Sequence, residues 1–329
     1  MNLGLIARAD NSGLSTQSWE FWRHMKPERT LIVLRNHRTR GECHEMRYAG
    51  GDGEVRITRM YPTTKDAAWI TSGVRWVFSA ETAYSTRMWD HSRRNRSKIC
   101  IQANPELYDY ERADLLLPAT NWRTDVFPSF KVLPVPVNRD VLPPRGVARV
   151  RTFYHVNSTA MEDRNGTDLV LSACRYMKSP ARLLIRGGEP ETRQIGPVEV
   201  TWLGPFHGPY HDHWPVLADA LVLPRRYGGL CLPMQEAASL GLPIIALDTD
   251  PYVDLIDPGL QVPGHVHHQV HMKGGEFDIH TCRPATLGLT MDRLYDSNDL
   301  AALASRRSLA WANRHSWAAM LDDYKNVLR

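Results

Sequence analysis

The sequence predicts an α/β chain of two doubly wound parallel-sheet domains facing each other across a cleft. Three observations carry that prediction. Strand patterns rich in branched and aromatic residues alternate with helical patterns in both halves of the 329 residues, as in a parallel sheet covered on both faces. A proline-studded stretch, "FKVLPVPVNRDVLPPRG" (130–146), can continue neither a helix nor a central strand and so divides the halves. In the second half a glycine turn joins a buried strand to a small-residue helix, "YGGLCLPMQEAASLG" (227–241). Open sheets bind ligands at the strand ends where such turns lie.

The elements follow in order. "LGLIA" (3–7) is a short apolar strand, "RADNSG" breaks it, and "LSTQSWEFWRHM" (14–25) has helical spacing. "TLIVL" (30–34), "EVRITRMY" (54–61) and "VRWVFSA" (74–80) read as strands. The "GGDG" between two of them (50–53) reads as a hairpin turn. "TAYSTRMWDHSRR" (82–94) is helical, and "KICIQ" (98–102) and "DLLLPA" (114–119) are strands. The second half repeats the scheme. Strands are expected at "RTFYHV" (151–156), "ARLLIRGG" (181–188), "VEVTWLG" (198–204), "ALVLP" (220–224) and "LPIIALD" (242–248). Helices are expected at "GTDLVLSACRYM" (166–177), "HDHWPVLADA" (211–220) and "PMQEAASLG" (233–241). "SWAAMLDDYKNVLR" (316–329) is an amphipathic helix well separated from the last strand. The expected boundaries are 1–143, 144–312 and 313–329.

Composition narrows the classes. No apolar segment approaches the roughly 20 residues that cross a bilayer. The N-terminus lacks the basic start and length of a signal peptide. Five scattered cysteines without a CxxC pair suit free thiols in a reducing cytoplasm. Charge is uneven. Through Arg145 the chain carries 22 Lys and Arg against 16 Asp and Glu, and the remainder carries 18 against 20. Two dense basic segments lie in the first half, with Arg35, Arg38 and Arg40 in one and Arg93, Arg94, Arg96 and Lys98 in the other. They form either a solvated face or a surface that meets something anionic.

The glycine turn carries the chemistry. After the strand at 220–223, Gly228 and Gly229 lead into a helix with Pro233 at its first position, where the amide lacks a helical partner anyway. Such a turn presents backbone N–H groups and a positive helix end, a fit for phosphate. Glycine lets the backbone approach a ligand without a Cβ in the way. Glu236, about one turn in, can accept hydrogen bonds from two neighbouring hydroxyls, as a ribose offers. Arg225 and Arg226 can neutralise a diphosphate.

Here the chain resembles a family. "YGGLCLPMQEAASLGLPIIALD" is similar to the donor-site signature of family 4 type glycosyltransferases of the GT-B fold. "RNGTDLVLSACRYMKSPARLLIRGGEPE", "VTWLGPFHGPYHDHWPVLADALVLP", "ADLLLPATNW…KVLPVPVNRDVLPP" and "SWAAMLDDYKNVL" extend the resemblance over most of the chain, in the family's order. The resemblance implies an acceptor-binding first domain, a donor-binding second domain and a terminal helix that crosses back. It makes Glu236 the partner of the nucleotide ribose and turns the amides of Leu230, Cys231 and Leu232 toward the donor sugar or its phosphate. It gives Gly13 the loop that reaches the diphosphate, and Gly204–Pro209 the nucleotide base. Two positions depart from the pattern: Gly228 stands where the family has a first glutamate, and Asn165 where it has a lysine. The missing positive charge then falls to Arg164, Arg186, Arg225 or Arg226.

The implied reaction is a metal-independent, retaining transfer from a UDP- or GDP-sugar to a hydroxyl, with no cofactor. Fixed amides and guanidinium groups stabilise the departing diphosphate. If a protein group assists the acceptor, Glu81 is the candidate, against a role as a carboxylate favoured by a helix N-terminus. "DTD" (248–250) reads as a structural turn rather than a metal site, and "GHVHHQVH" (264–271) as a surface hairpin rather than a zinc site. For the acceptor, the basic first half with Trp19 and Trp22 suits a hydroxylated base in DNA, and the compact size is similar to viral and phage members. Protein, lipid and glycan acceptors remain open, as do a sugar-nucleotide epimerase and a non-catalytic binding protein on the same scaffold.

Overall fold

A computed structural model of the chain describes residues 2–10, 12–34, 48–80, 82, 84–107, 112–158, 161–206 and 210–329. Six strands form the first sheet: β1 (Leu3–Ala7), β2 (Arg29–Leu34), β3 (Glu54–Arg59), β4 (Trp76–Ala80), β5 (Lys98–Gln102) and β6 (Leu115–Leu116). Their order is β3-β2-β1-β4-β5-β6, and every neighbouring pair is parallel. Among the described residues of the first half, helices α1 (Gly13–Met25), α2 (Thr64–Thr71) and α3 (Arg87–Asn95) cover it. α2 begins in a capping box between Thr63 and Asp66, which satisfies two otherwise orphaned amides.

β2 and β3 are parallel, with Arg29 beside Glu54, so residues 50–53 are not the hairpin turn expected. A parallel neighbour must re-enter from the far end of the sheet, and these residues close that longer crossover. Gly53 lies so near Pro27 and Glu28 that a Cβ would collide with their carbonyl groups.

The second sheet comprises β7 (Thr152–Val156), β8 (Arg182–Ile195), β9 (Val198–Gly204), β10 (Ala220–Val222), β11 (Ile244–Leu247) and β12 (Gln261–Val262), in the order β12-β11-β10-β7-β8-β9. β8 is long and folds back on itself. Residues 182–187 lie beside 199–204 with numbers rising together, whereas 191–195 return antiparallel beside 202–198. That hairpin is the one break in an otherwise parallel scheme among the described strands of the two large sheets. α4 (Thr167–Cys174), α5 (Leu232–Leu240), α6 (Pro284–Asp296) and α7 (Asn298–Arg314) pack on this sheet's core. Residues 211–220 do not form the helix expected: a short 3-10 turn at Tyr210–His213 ends before Pro215, and Trp214 turns inward. Proline at 215 removes a helical donor just where the pattern would continue.

β13 (His265–Met272) and β14 (Gly275–Thr281) form the expected antiparallel hairpin. The last helix, α8 (Trp317–Val327), buries Trp317, Met320 and Tyr324 against the first domain, where Phe21 and Phe78 stack at 3.8 Å. Each such side chain contributes roughly 1.5–3 kcal/mol, which ties the chain end back across the domain divide. The Tyr324 hydroxyl donates to Gln102 Oε1 at 2.9 Å. Cys100, Cys174, Cys231 and Cys282 are free and buried. Among the described residues no helix is long and apolar enough to cross a membrane.

Candidate active site

Both sheets end at one seam. β10 leaves its last residue, Val222, and turns through 225–231 into α5. α5 starts at Leu232 with Pro233 in its first turn and no side chain capping its amides. Among the described residues, none accepts a hydrogen bond from the backbone N–H of Leu230, Cys231 or Leu232. Unpaired donors at a helix N-terminus form an electropositive cradle.

Glu236 lies one turn further on and is 6 % exposed. Its Oε2 accepts the Trp214 indole N–H at 2.9 Å and lies 3.2 Å from His213 Nε2. The Tyr154 hydroxyl is 2.7 Å from His213 Nδ1. It also donates to the His213 carbonyl at 3.0 Å. Of the two imidazole tautomers, the one with its proton on Nε2 donates to the carboxylate, which can only accept. Burial holds the Tyr154 hydroxyl well above its ordinary pKa, which keeps it a neutral donor. Both hydrogen bonds end on Oε2, so the carboxylate is held by one oxygen.

The first domain closes on this turn. Gly13, at the start of α1, is so placed that a Cβ would lie 2.9 Å from Leu232 Cδ1. The Thr120 hydroxyl meets the Gly229 carbonyl at 3.4 Å, and a Cβ on Gly229 would lie 3.1 Å from the Trp122 ring. Gly228 has φ +117, and a Cβ there would collide with Glu106 Oε1 and stand 2.6 Å from Arg225 Nη2. Glu106 Oε2 pairs with Arg164 across the seam. Arg225, 6 % exposed, donates to Asn165 Oδ1 at 3.1 Å and to the Leu230 carbonyl at 2.8 Å. The closed seam leaves a cavity of about 40 Å³ between α1 and Glu236, bordered by Gln17, Glu20 and Gln235. That is room for a water or two. A wider cleft of about 1010 Å³ borders Gly229, Cys231, Trp122 and Tyr252.

Residues 151–270 match the family model described as glycosyl transferases group 1. That stretch, which lies within the second domain, is thus similar to the group 1 glycosyltransferases. No curated protein is similar enough in sequence to count as a match. Three solved structures show how far the fold extends. HepE from Anabaena, in complex with UDP, aligns at TM-score 0.69 and 10% identity over 100% of this chain and 99% of its own. A lipopolysaccharide outer core galactosyltransferase, WaaB, aligns at 0.65 and 13%, over 99% and 98%. Sucrose-phosphate synthase from Thermosynechococcus elongatus aligns at 0.67 and 12%, over 99% and 97%. The GT-B fold of these glycosyltransferases thus runs the length of the chain.

Within this fold the expected residues divide into groups. Gly13, Arg164, Arg225, Gly228, Gly229, Leu230, Cys231, Leu232 and Glu236 come together at the seam. The near neighbours of the two turn glycines are protein groups, Glu106, Arg225 and Trp122, where the sequence suggested a ligand. Arg226 has a structural post instead. Its guanidinium donates to the carbonyls of Glu162 at 2.7 Å and His280 at 3.0 Å, joining the 161–164 loop to β14. Arg186 donates to the His213 carbonyl at 3.2 Å and so braces the residue that holds Glu236. Glu81, Arg35, Arg38 and Arg40 lie outside the described residues, as do 207–209 of the Gly204–Pro209 loop.

Arg93, Arg94, Arg96 and Lys98 are exposed. They sit where α3 ends and β5 begins, beside Trp76 at the start of β4. That is the end of the sheet where β4 and β5 begin, away from the seam at the strands' other ends. Trp19 and Trp22 pack half-buried against the first domain's core, Trp22 edge-on to Tyr48 at 5.5 Å. Asp248 of "DTD" accepts the Gly264 N–H at 2.6 Å, a structural turn contact. Among the described residues no group of three His, Cys, Asp or Glu is placed to hold a metal ion. Three site residues escaped the sequence reading: Glu106, His213 and Trp214. The last two sat inside a segment read as a helix, and Glu106 sat in "NPELYD", which has no pattern to mark it.

Proposed function

We propose that the chain transfers a sugar from a nucleotide diphosphate donor to a hydroxyl acceptor, with retention at the anomeric carbon and without a metal. The single observation that carries this reading is Glu236, held by Trp214 and His213 through one oxygen on the helix that follows the glycine turn. A carboxylate so fixed has its other oxygen for the ribose hydroxyls. The unpaired amides of Leu230–Leu232 then receive the diphosphate, with Arg225 and Arg164 supplying positive charge beside it. As the sugar–phosphate bond breaks, negative charge grows on the leaving diphosphate, and these fixed donors stabilise it. A departing phosphate oxygen can take the acceptor proton, so the step is balanced without a protein base. UDP is the favoured nucleotide, since HepE structures of this fold carry UDP and UDP-glucose. The cavity of about 40 Å³ beside Glu236 is too small for a nucleotide, so binding requires the domains to part.

For the acceptor, charge and geometry part company. The net positive first half favours a polyanion such as hydroxymethylated DNA, but the exposed basic cluster at 93–98 lies where β5 begins, at the end of the sheet away from the seam. A DNA acceptor would have to reach the turn through the wider cleft beside Gly229.

A thermal-shift screen of UDP-, GDP- and ADP-sugars, repeated with EDTA, tests the donor reading. A ligand at about 100 times its Kd stabilises the folded state by roughly 2.7 kcal/mol, a shift of several degrees. A matching rise with and without EDTA is expected. No rise with any donor overturns the proposal, and a rise lost with EDTA overturns metal independence.

A further inference from the structure

We propose that Glu106, from the first domain, is a donor-sugar recognition residue, its carboxylate occupying the space left by the missing side chain at Gly228. The inference rests on the donor-site reading above and adds a residue from the opposite domain. Glu106 follows β5 in a short 3-10 turn at Pro105–Leu107 and is 3 % exposed. Oε2 is committed to Arg164, with Asn104 Nδ2 at 3.5 Å. Oε1 is buried and has no hydrogen-bond partner. It is the atom that a Cβ on Gly228 would strike. The Nε groups of Arg164 and Arg225, on either side, are likewise buried and unsatisfied.

Leaving a buried charged acceptor unpaired costs free energy that folding does not recover. The residue is nevertheless held there by an ion pair, over a turn whose glycine clears its path. A carboxylate fixed through one oxygen with the other bare is suited to hydroxyl groups. The amides of Leu230–Leu232 that would take the diphosphate begin two residues after Gly228. The sugar is bonded to the terminal phosphate, so its hydroxyls are the groups that reach Oε1. The two guanidiniums outnumber this one carboxylate, which leaves net positive charge for the diphosphate beside it.

Calorimetric titration of wild type, Glu106→Gln and Glu106→Asp with UDP and with UDP-glucose, UDP-galactose and UDP-N-acetylglucosamine tests this. The wild type is expected to bind at least one of these sugars tighter than UDP itself. Glu106→Gln should lose that gain tenfold or more with UDP binding not weakened, and Glu106→Asp should keep part of it. An unchanged gain in Glu106→Gln overturns the proposal. So does tighter UDP binding with the sugar gain intact, which would make Glu106 a stand-in for phosphate in the empty seam. Wild-type protein that binds none of these ligands sinks the UDP-donor reading, and the Glu106 role falls with it. Unfolding curves for each variant separate loss of fold from loss of contact.

Discussion

At the scale of single residues, the site is defined by how one carboxylate is oriented. Glu236 has its Oε2 fixed by two donors that come from 22 and 23 residues earlier in the chain. Trp214→Phe removes one of them while keeping an aromatic ring in the core, so the carboxylate gains freedom that ligand binding must then remove. Glu236→Ala removes the acceptor altogether. Hydrogen bonds to a charged group contribute about 1.5–3 kcal/mol each. Calorimetry with UDP should therefore show a loss of tenfold or more for Glu236→Ala and a smaller one, about three- to tenfold, for Trp214→Phe. UDP affinity unchanged in Trp214→Phe would mean that the indole contact does not orient the glutamate. The importance of Glu236 was legible because it stands in a local pattern of turn, proline and small-residue helix. Its partners were not, because a donor that approaches through space leaves no mark on the spacing. Glu106 was hidden for the same reason: its ion-pair partner is 58 residues away.

At the scale of elements, the strands were readable because buried parallel strands need continuous branched and aromatic runs, and β1, β4, β7 and β11 have them. Pairing was less readable. The branched residues that mark β2 and β3 as strands say nothing of their relative direction, so a glycine-rich link between them reads as a hairpin. Where one side chain links several elements, chemistry becomes testable. His155 on β7 is fully buried, with Nδ1 2.8 Å from the Val222 carbonyl of β10 and Nε2 2.9 Å from the Thr167 hydroxyl of α4. Burial pushes its pKa down to about 4, partly offset by the Val222 hydrogen bond. The folded value is below the unfolded one of about 6.5, so the unfolded chain takes up a proton that the native ring refuses. Stability tied to this histidine is thus full above pH 6.5 and is lost as pH falls toward 4, on the order of 3 kcal/mol in all. Denaturant unfolding at pH 7 and pH 4.5 should show a steeper loss for wild type than for His155→Gln. Parallel losses in the two proteins would count against this account.

At the scale of the whole molecule, the decisive feature is that the glycine turn is buried by the other domain. The ion pair from Glu106 to Arg164, the Thr120–Gly229 hydrogen bond and the Gly13–Leu232 approach all cross the seam. The last helix packs into the first domain's core and so tethers the two domains independently of these contacts. A seam of a few specific contacts suits the opening and closing that the proposed transfer needs. Gly13 offers the cleanest probe. It stands at the start of a helix with a backbone any residue can adopt, so a side chain there acts on the seam rather than on α1. A Cβ would already lie 2.9 Å from Leu232 Cδ1, and the branched carbons of valine reach further. Gly13→Val should hold the domains apart, raising the radius of gyration in X-ray scattering. Transfer should fall on the order of a hundredfold, as a misplacement of about 1 Å can cause. Leu232→Ala in the same chain removes the opposing methyl groups and should restore much of both. If Gly13→Val closes and turns over as wild type does, domain closure through this contact is not part of the reaction. If it loses activity without opening and Leu232→Ala gives no rescue, the glycine is needed by the ligand and not by the seam.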